Sequence, residues 1–105
     1  MTINIARDYT PTPGGRYRSD GPCSGEEFRE SVLVPVYEKA KSAQEKITII
    51  FDGGYGYARS FLEEAFGGLA RKFGGDDTLS DMFILVSKET PSIETFVRQA
   101  LCTAE

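Results

Sequence analysis

The sequence predicts an α/β domain in which a central mixed sheet of about four strands has helices packed against it in layers. Three observations predict this. Short β-rich runs alternate with runs of helical period through most of the 105 residues. A strand, a glycine loop and a helix follow one another without a break from Lys46 to Phe73, KITIIFDGGYGYARSFLEEAFGGLARKF. Within that block, Ile47 to Phe51 is apolar almost throughout, the pattern of a strand buried on both faces and therefore central.

Taken in order, Thr2 to Tyr9 alternates apolar and polar residues and predicts an edge strand. Thr10 to Gly15, a cluster of prolines and glycines, predicts a turn. Arg16 to Ser19 predicts a second short strand, ended by the turn Asp20-Gly21-Pro22. Ser24 with Glu27 three residues later has the capping-box pattern, in which the serine oxygen accepts a free backbone N–H and the glutamate reaches back. Phe28, Val32, Val36, Tyr37 and Ala40 follow at helical spacing, with Pro35 expected to kink or split the helix because it lacks an N–H. After the polar segment Lys41 to Glu45 comes the strand Lys46 to Phe51. A second helix, Phe61 to Phe73, places Leu62, Ala65, Phe66, Leu69 and Phe73 on one stripe. Gly67 and Gly68 each cost such a helix about 1 kcal/mol relative to alanine, so close approach to the sheet is the expected reason for them. Gly74 to Asp77 ends it, Asp81 to Ser87 predicts another strand, and Pro91 opens a final helix with Ile93, Phe96, Val97, Ala100 and Leu101 on its buried face.

Composition narrows the function classes. The length suits one domain with one core. The longest apolar stretch, around Val32 to Tyr37, falls far short of the roughly 20 residues a bilayer requires. The opening residues lack the basic start and apolar run of a signal peptide, so a cytoplasmic location is expected. Twelve basic against sixteen acidic residues leave a net charge of −4, the wrong sign for a dedicated nucleic-acid binder. Histidine is absent, which removes serine–histidine and cysteine–histidine nucleophile pairs and imidazole-based zinc sites. Cys23 and Cys102 are expected to be reduced thiols. No enzymatic activity, metal or cofactor is expected.

The loop Asp52-Gly53-Gly54-Tyr55-Gly56-Tyr57-Ala58-Arg59-Ser60 is the candidate site, and right-handed crossovers would place it at the carboxyl edge of the sheet. One reading is a tight connection, with glycines at positive φ, Ser60 capping the helix and Glu63 completing Ser-x-x-Glu. A second is an anion or nucleotide cradle, with Arg59 beside a helix N-terminus. The loop lacks the Gly-Lys-Ser/Thr of a Walker A motif and the Gly-x-Gly-x-x-Gly order, and Asp52, Glu63 and Glu64 bring negative charge near it. Tyr55 and Tyr57 would serve either a stacked base or a protein interface.

The strand ending at Asp52, the short loop, and the helix opening Ser60-Phe61-Leu62-Glu63-Glu64-Ala65-Phe66-Gly67-Gly68-Leu69 resemble the STAS-like domain family of unknown function found in bacteria and phages. The resemblance is best over Ile47 to Leu69 and extends upstream through Gly14 to Gly21 and Ser24 to Phe28. It implies a small α/β domain that docks on another protein. In the anti-sigma-factor antagonists for which the family is named, that partner is a histidine-kinase-like ATPase. Those proteins carry an Asp-Ser-Ser/Thr-Gly element whose serine is phosphorylated. Here Ala58-Arg59-Ser60-Phe61 stands at its place, so the hydroxyl is kept while the preceding acid and following glycine are not. Ser60 is thus the candidate phosphorylation site that the resemblance implies.

Three other features carry weaker signals. Cys23 and Arg29 have the spacing of a tyrosine-phosphatase loop, but Glu26 and Glu27 would repel a phosphate there. Arg16 and Arg18 are either a solvated edge or an anion-facing pair near the glycine loop. Asp76-Asp77 is expected to be a turn, since lone adjacent carboxylates make a poor calcium site.

The expected function is therefore a non-catalytic regulatory protein-interaction module. Its contacts would be Asp52, Gly53, Gly54, Tyr55, Gly56, Tyr57, Arg59, Ser60 and Glu63, with a nucleotide or other anion as the alternative occupant. No nucleic-acid or membrane partner is expected, and the choice between monomer and homodimer is left open.

Overall fold

The computed structural model describes residues 1–74 and 77–102, the side chains of 77 and 78 apart. Its sheet has three strands, β1 (Thr2–Asn4), β2 (Ile47–Ile50) and β3 (Phe83–Val86), in the order β1-β2-β3. Both pairings are parallel, with Thr2 opposite Thr48 and Ile47 opposite Phe83. The expected mixed sheet of about four strands is corrected on both counts among the described residues.

The missing strand is Arg16 to Ser19. Its backbone is engaged by the start of the next helix: Gly25 N–H donates to the Gly15 carbonyl at 2.8 Å, and Glu26 N–H to that of Arg16 at 2.9 Å. Arg18 N–H in turn donates to the Glu26 carboxylate at 2.9 Å, and the chain closes into a 3₁₀ turn, Arg18–Asp20. Those groups are unavailable to a strand ladder. The first strand is also shorter than Thr2 to Tyr9. Asn4 caps a short helix, α1 (Ile5–Asp8), by accepting the Arg7 N–H, while Asp8 reaches back to the Asn4 N–H. This reciprocal cap ends β1 at Asn4, and the buried Ile3 and Ile5 straddle the switch from strand to helix.

Helix α2 spans residues 25–43 and begins at the predicted serine, with Ser24 Oγ accepting the Glu27 N–H at 3.0 Å; the Glu27 carboxylate reaches back to the Cys23 N–H at 2.9 Å instead of to that of Ser24. Pro35 does not split it. The turn before the proline, Arg29–Leu33, is π-helical instead, and Val34 N–H reaches back to the Arg29 carbonyl. Widening that turn relieves the clash between a proline ring and the carbonyl four residues earlier. It also shifts the buried stripe: Leu33 and Val34 are buried, whereas Val32 and Val36 are only half-buried.

Helix α3 spans residues 59–73 and carries a second π-helical turn, Glu63–Gly67. Every residue from Phe61 to Ala70 except Glu63 is buried, so this helix runs through the middle of the molecule. Phe28, Phe61 and Phe66 are fully buried and form a chain of ring contacts that continues to Phe51 and Phe83. A short helix absent from the sequence reading, α4 (Asp77–Asp81), precedes β3, and α5 (Ser92–Cys102) follows Pro91 as expected. The expected turn at Asp76 lies outside the described residues.

The glycines in α3 do not approach the sheet as expected. A Cβ on Gly68 would collide with the Arg29 guanidinium, and one on Gly67 would stand 2.5 Å from a Glu63 carboxylate oxygen. They make room for charged side chains.

The sheet is fully buried on one face only. Ile3, Ile47, Ile49, Phe83 and Leu85 are buried in the core. Alternate residues Thr2, Asn4, Thr48, Ile50, Ile84 and Val86 turn the other way, and none is buried; Ile84 is 46% exposed. Thus β2 is central, but it is not covered on both faces. No helix among the described residues is long and apolar enough to cross a membrane.

Candidate functional site

The glycine loop leaves the carboxyl end of β2, and the loop 87–91 leaves the carboxyl end of β3 beside it. The parallel pairing is what puts the two loops side by side. They are bolted together by an exchange of carboxylates. Asp52 accepts the backbone N–H groups of Lys88 and Glu89 at 3.0 and 2.9 Å, and Glu89 accepts the Gly53 N–H at 2.9 Å. The Glu89 and Lys88 N–H groups hold the Asp52 carboxyl below its ordinary pKa. Gly53 (φ 94°) and Gly56 (φ 111°) take backbone conformations that a side chain would strain. Tyr55 N–H donates to the Pro11 carbonyl at 2.9 Å, which ties the loop to the N-terminal segment as well.

The two tyrosines part company. Tyr57 packs edge-on against Phe51 with centroids 5.5 Å apart, and its hydroxyl donates to the Phe51 carbonyl at 3.1 Å. Burial pushes its phenol up to about 12, and the charges of Asp52 and Glu89 add to the shift. Tyr55 is 87% exposed at the loop tip. Tyr57 is a support and Tyr55 a projection.

Ser60 is not the helix cap. Ala58 occupies that position with extended backbone (φ −71°, ψ 141°), and no side chain caps the start of α3. Ser60 lies half-buried in the first turn, and its hydroxyl makes no hydrogen bond among the described residues. Glu63 does not close a capping box but bonds to Arg16 and, at 2.6 Å, to Arg71. Arg59 lies over the Phe96 ring, 5.3 Å from its centroid.

A hollow of about 300 Å³ opens between the starts of α3 and α5, floored by Leu62, Ile93 and Phe96 with Arg59, Thr90 and Ser92 at its rim. A second hollow of about 240 Å³ adjoins it through Tyr57, Thr90 and Ile93 and reaches Asp52 and Glu89. The helical spacing of Ile93 and Phe96 predicts core positions. Both are only half-buried, and nothing in their period distinguishes a core wall from a cleft wall.

Arg16 and Arg18 do not line either hollow. Arg16 pairs with Glu63 and Glu64, while Arg29 bonds Glu64 and Glu30, and Arg71 and Lys72 extend the network. The network joins the N-terminal loop to both π-helical turns. The helix start after Cys23 is likewise filled from within: Ser24, Gly15 and Arg16 accept its N–H groups, and Arg29 is committed to Glu64, which removes the anion nest a phosphatase loop needs. Cys23 and Cys102 are free thiols.

These features define a small one-sheet α/β domain whose rigidified loops crowd the carboxyl ends of two parallel strands. The model of the STAS-like domain of unknown function (DUF4325) matches residues 24–91, more than half of the chain, and the protein belongs to that family. No curated protein and no solved structure gave a significant match.

Proposed function

We infer that the domain is a non-catalytic regulatory module that docks on a partner protein through the edge built by the glycine loop, the start of α3 and the loop 87–91. The observation that carries this reading is Tyr55. The residue is 87% exposed on a loop tied to two other backbone segments, at Lys88-Glu89 and at Pro11. A large aromatic side chain on a preorganised loop loses little entropy on binding and is a common interface anchor. The test replaces position 55 with a photo-crosslinking aromatic amino acid in source cells, and position 84 on the open sheet face in parallel. A protein cross-linked from position 55 and not from position 84, and lost on Tyr57→Ala, supports the reading. Cross-links from position 84 alone, or from neither, would refute it.

A second reading, an anion such as a nucleotide phosphate at the same junction, draws on the uncapped start of α3 beside Arg59 and the unbonded Ser60 hydroxyl. Phosphorylation of Ser60 belongs to this chemistry, with Arg59 as its nearest counter-charge in sequence. Ligand-dependent thermal stabilisation that is abolished by Arg59→Ala would favour it over protein docking.

A further inference from the structure

We propose that the hollow between the starts of α3 and α5 receives a segment of a partner protein in which an apolar side chain neighbours a carboxylate, the carboxylate being taken by Arg59. This rests on the docking-edge reading and gives the chemistry of what docks there. The hollow has an apolar floor of Leu62, Ile93 and Phe96, and no acidic residue lines it among the described residues. Among the described residues Arg59 is its one charged lining residue.

Arg7, Arg16, Arg29 and Arg71 each pair with a carboxylate. Arg59, like Arg18 and Arg98, has no ion pair among the described residues; Arg98 is bonded to the Ser80 and Phe83 carbonyls, whereas Arg59 rests on the Phe96 ring. This cation–π contact holds the guanidinium at the rim of the hollow and leaves N–H groups for a planar, bidentate acceptor such as a carboxylate. The site therefore offers an oriented cation beside an apolar floor.

The adjoining hollow sets the direction. It contains Asp52 and Glu89, whose oxygens already accept the backbone N–H groups of Lys88, Glu89 and Gly53. Charge thus separates along the edge, cationic at Arg59 and anionic at Asp52 and Glu89, and an acid is directed to the Arg59 end. About 300 Å³ is at the low end for a small-molecule pocket and has room for one or two side chains. A hollow open to solvent cannot enclose most of a free metabolite, whereas a peptide gains further contacts from the flanking edge and Tyr55.

A random peptide library displayed on phage and selected against the full chain tests this, with Arg59→Glu, Arg59→Gln and Lys39→Glu proteins alongside. Lys39 is an exposed helix residue outside the edge and controls for the change in net charge. The expected result is a consensus with a large apolar residue within two positions of Asp or Glu. A synthetic peptide of that consensus should bind both Arg59 variants at least tenfold more weakly and the Lys39 variant within twofold of wild type. An acid-free consensus, equal binding to the Arg59 variants, or an equal loss at Lys39 would overturn the proposal. So would failure of the selection together with a small anion retained in a native mass spectrum. If position 55 cross-links a protein but no acidic peptide is enriched, the docking edge stands and this assignment falls.

Discussion

One nitrogen of Arg29, Nη1, donates both to the Glu64 carboxylate at 2.5 Å and to the Glu64 backbone carbonyl at 2.9 Å. A single corner of a guanidinium thus holds the side chain and main chain of one residue, across two helices that each widen into a π turn there. The side chains are 14% and 10% exposed. Breaking a pair this dry leaves a carboxylate with less than its full set of partners. Arg29→Ala should cost on the order of 3 kcal/mol in urea unfolding. Arg29→Met with Glu64→Leu should recover most of the loss, since the pair's desolvation cost disappears with it. If the double variant is as unstable as the single one, packing of the arginine stem is the larger effect.

Gly68→Ala is expected to depart from the usual helix rule. In an exposed helix the change stabilises by about 1 kcal/mol. Here the new methyl meets the Arg29 guanidinium, so the gain should vanish or change sign. In an Arg29→Met background the ordinary gain should return, which a double-mutant cycle measured by chemical denaturation would show as coupling between the two positions.

At the start of α3 the structure predicts an exchange of roles. Ser60→Ala should leave the thermal midpoint unchanged within error, because Ser60 caps nothing. Ala58→Asp should stabilise by about 1 kcal/mol by supplying the missing cap. The reverse pattern would restore Ser60 as the cap.

Acid should loosen the domain. The carboxyls of Asp52, Glu30 and Glu63 all lie below their ordinary values. For Asp52 the cause is the pair of backbone N–H groups, and for Glu30 it is first the hydrogen bond from Arg29. For Glu63 burial pushes upward, but the bonds from Arg71 and Arg16 outweigh it. A depressed carboxylate contributes stability in full above its unfolded pKa and loses it as pH falls through its folded one. Stability should therefore decline below the ordinary glutamate and aspartate values of 4.5 and 3.8, with no loss from these groups at neutral pH. Asp52→Asn should make the acid limb of a midpoint-against-pH curve shallower. An unchanged limb would show that the Asp52 clamp stays closed after protonation.

The α/β alternation, the central place of β2, the Ser24 cap and the placement of the glycine loop were all legible in the sequence, because each rests on local pattern. What escaped it depended on distant partners. Arg16 to Ser19 reads as a strand until the start of α2 takes up its backbone. Gly68 reads as a sheet contact until Arg29, far back in the chain, fills the space beside it. Of the candidate site, Tyr55 and Tyr57 look equivalent in sequence, yet one projects and the other is pinned to Phe51. Leu62, Ile93 and Phe96 were legible only as core, since helical period cannot separate the wall of a hollow from the interior. Arg59 was legible as a charge, but its stacking on Phe96 was not.

The all-parallel sheet has a consequence for how the chain folds. Strand β2 finds its partners far away in sequence on both sides, at Thr2–Asn4 and Phe83–Val86, with a long helix-bearing excursion on the way to each. Among the described residues no hairpin is available to start the sheet, and the loop entropy of a closure must be met before its ladder bonds form. The helices on the way are joined directly by Arg29 and Glu64, a shorter closure than β1 to β2. Folding should then begin in the π-turn region, with substitutions there slowing refolding and substitutions at Ile3 or Leu85 chiefly quickening unfolding.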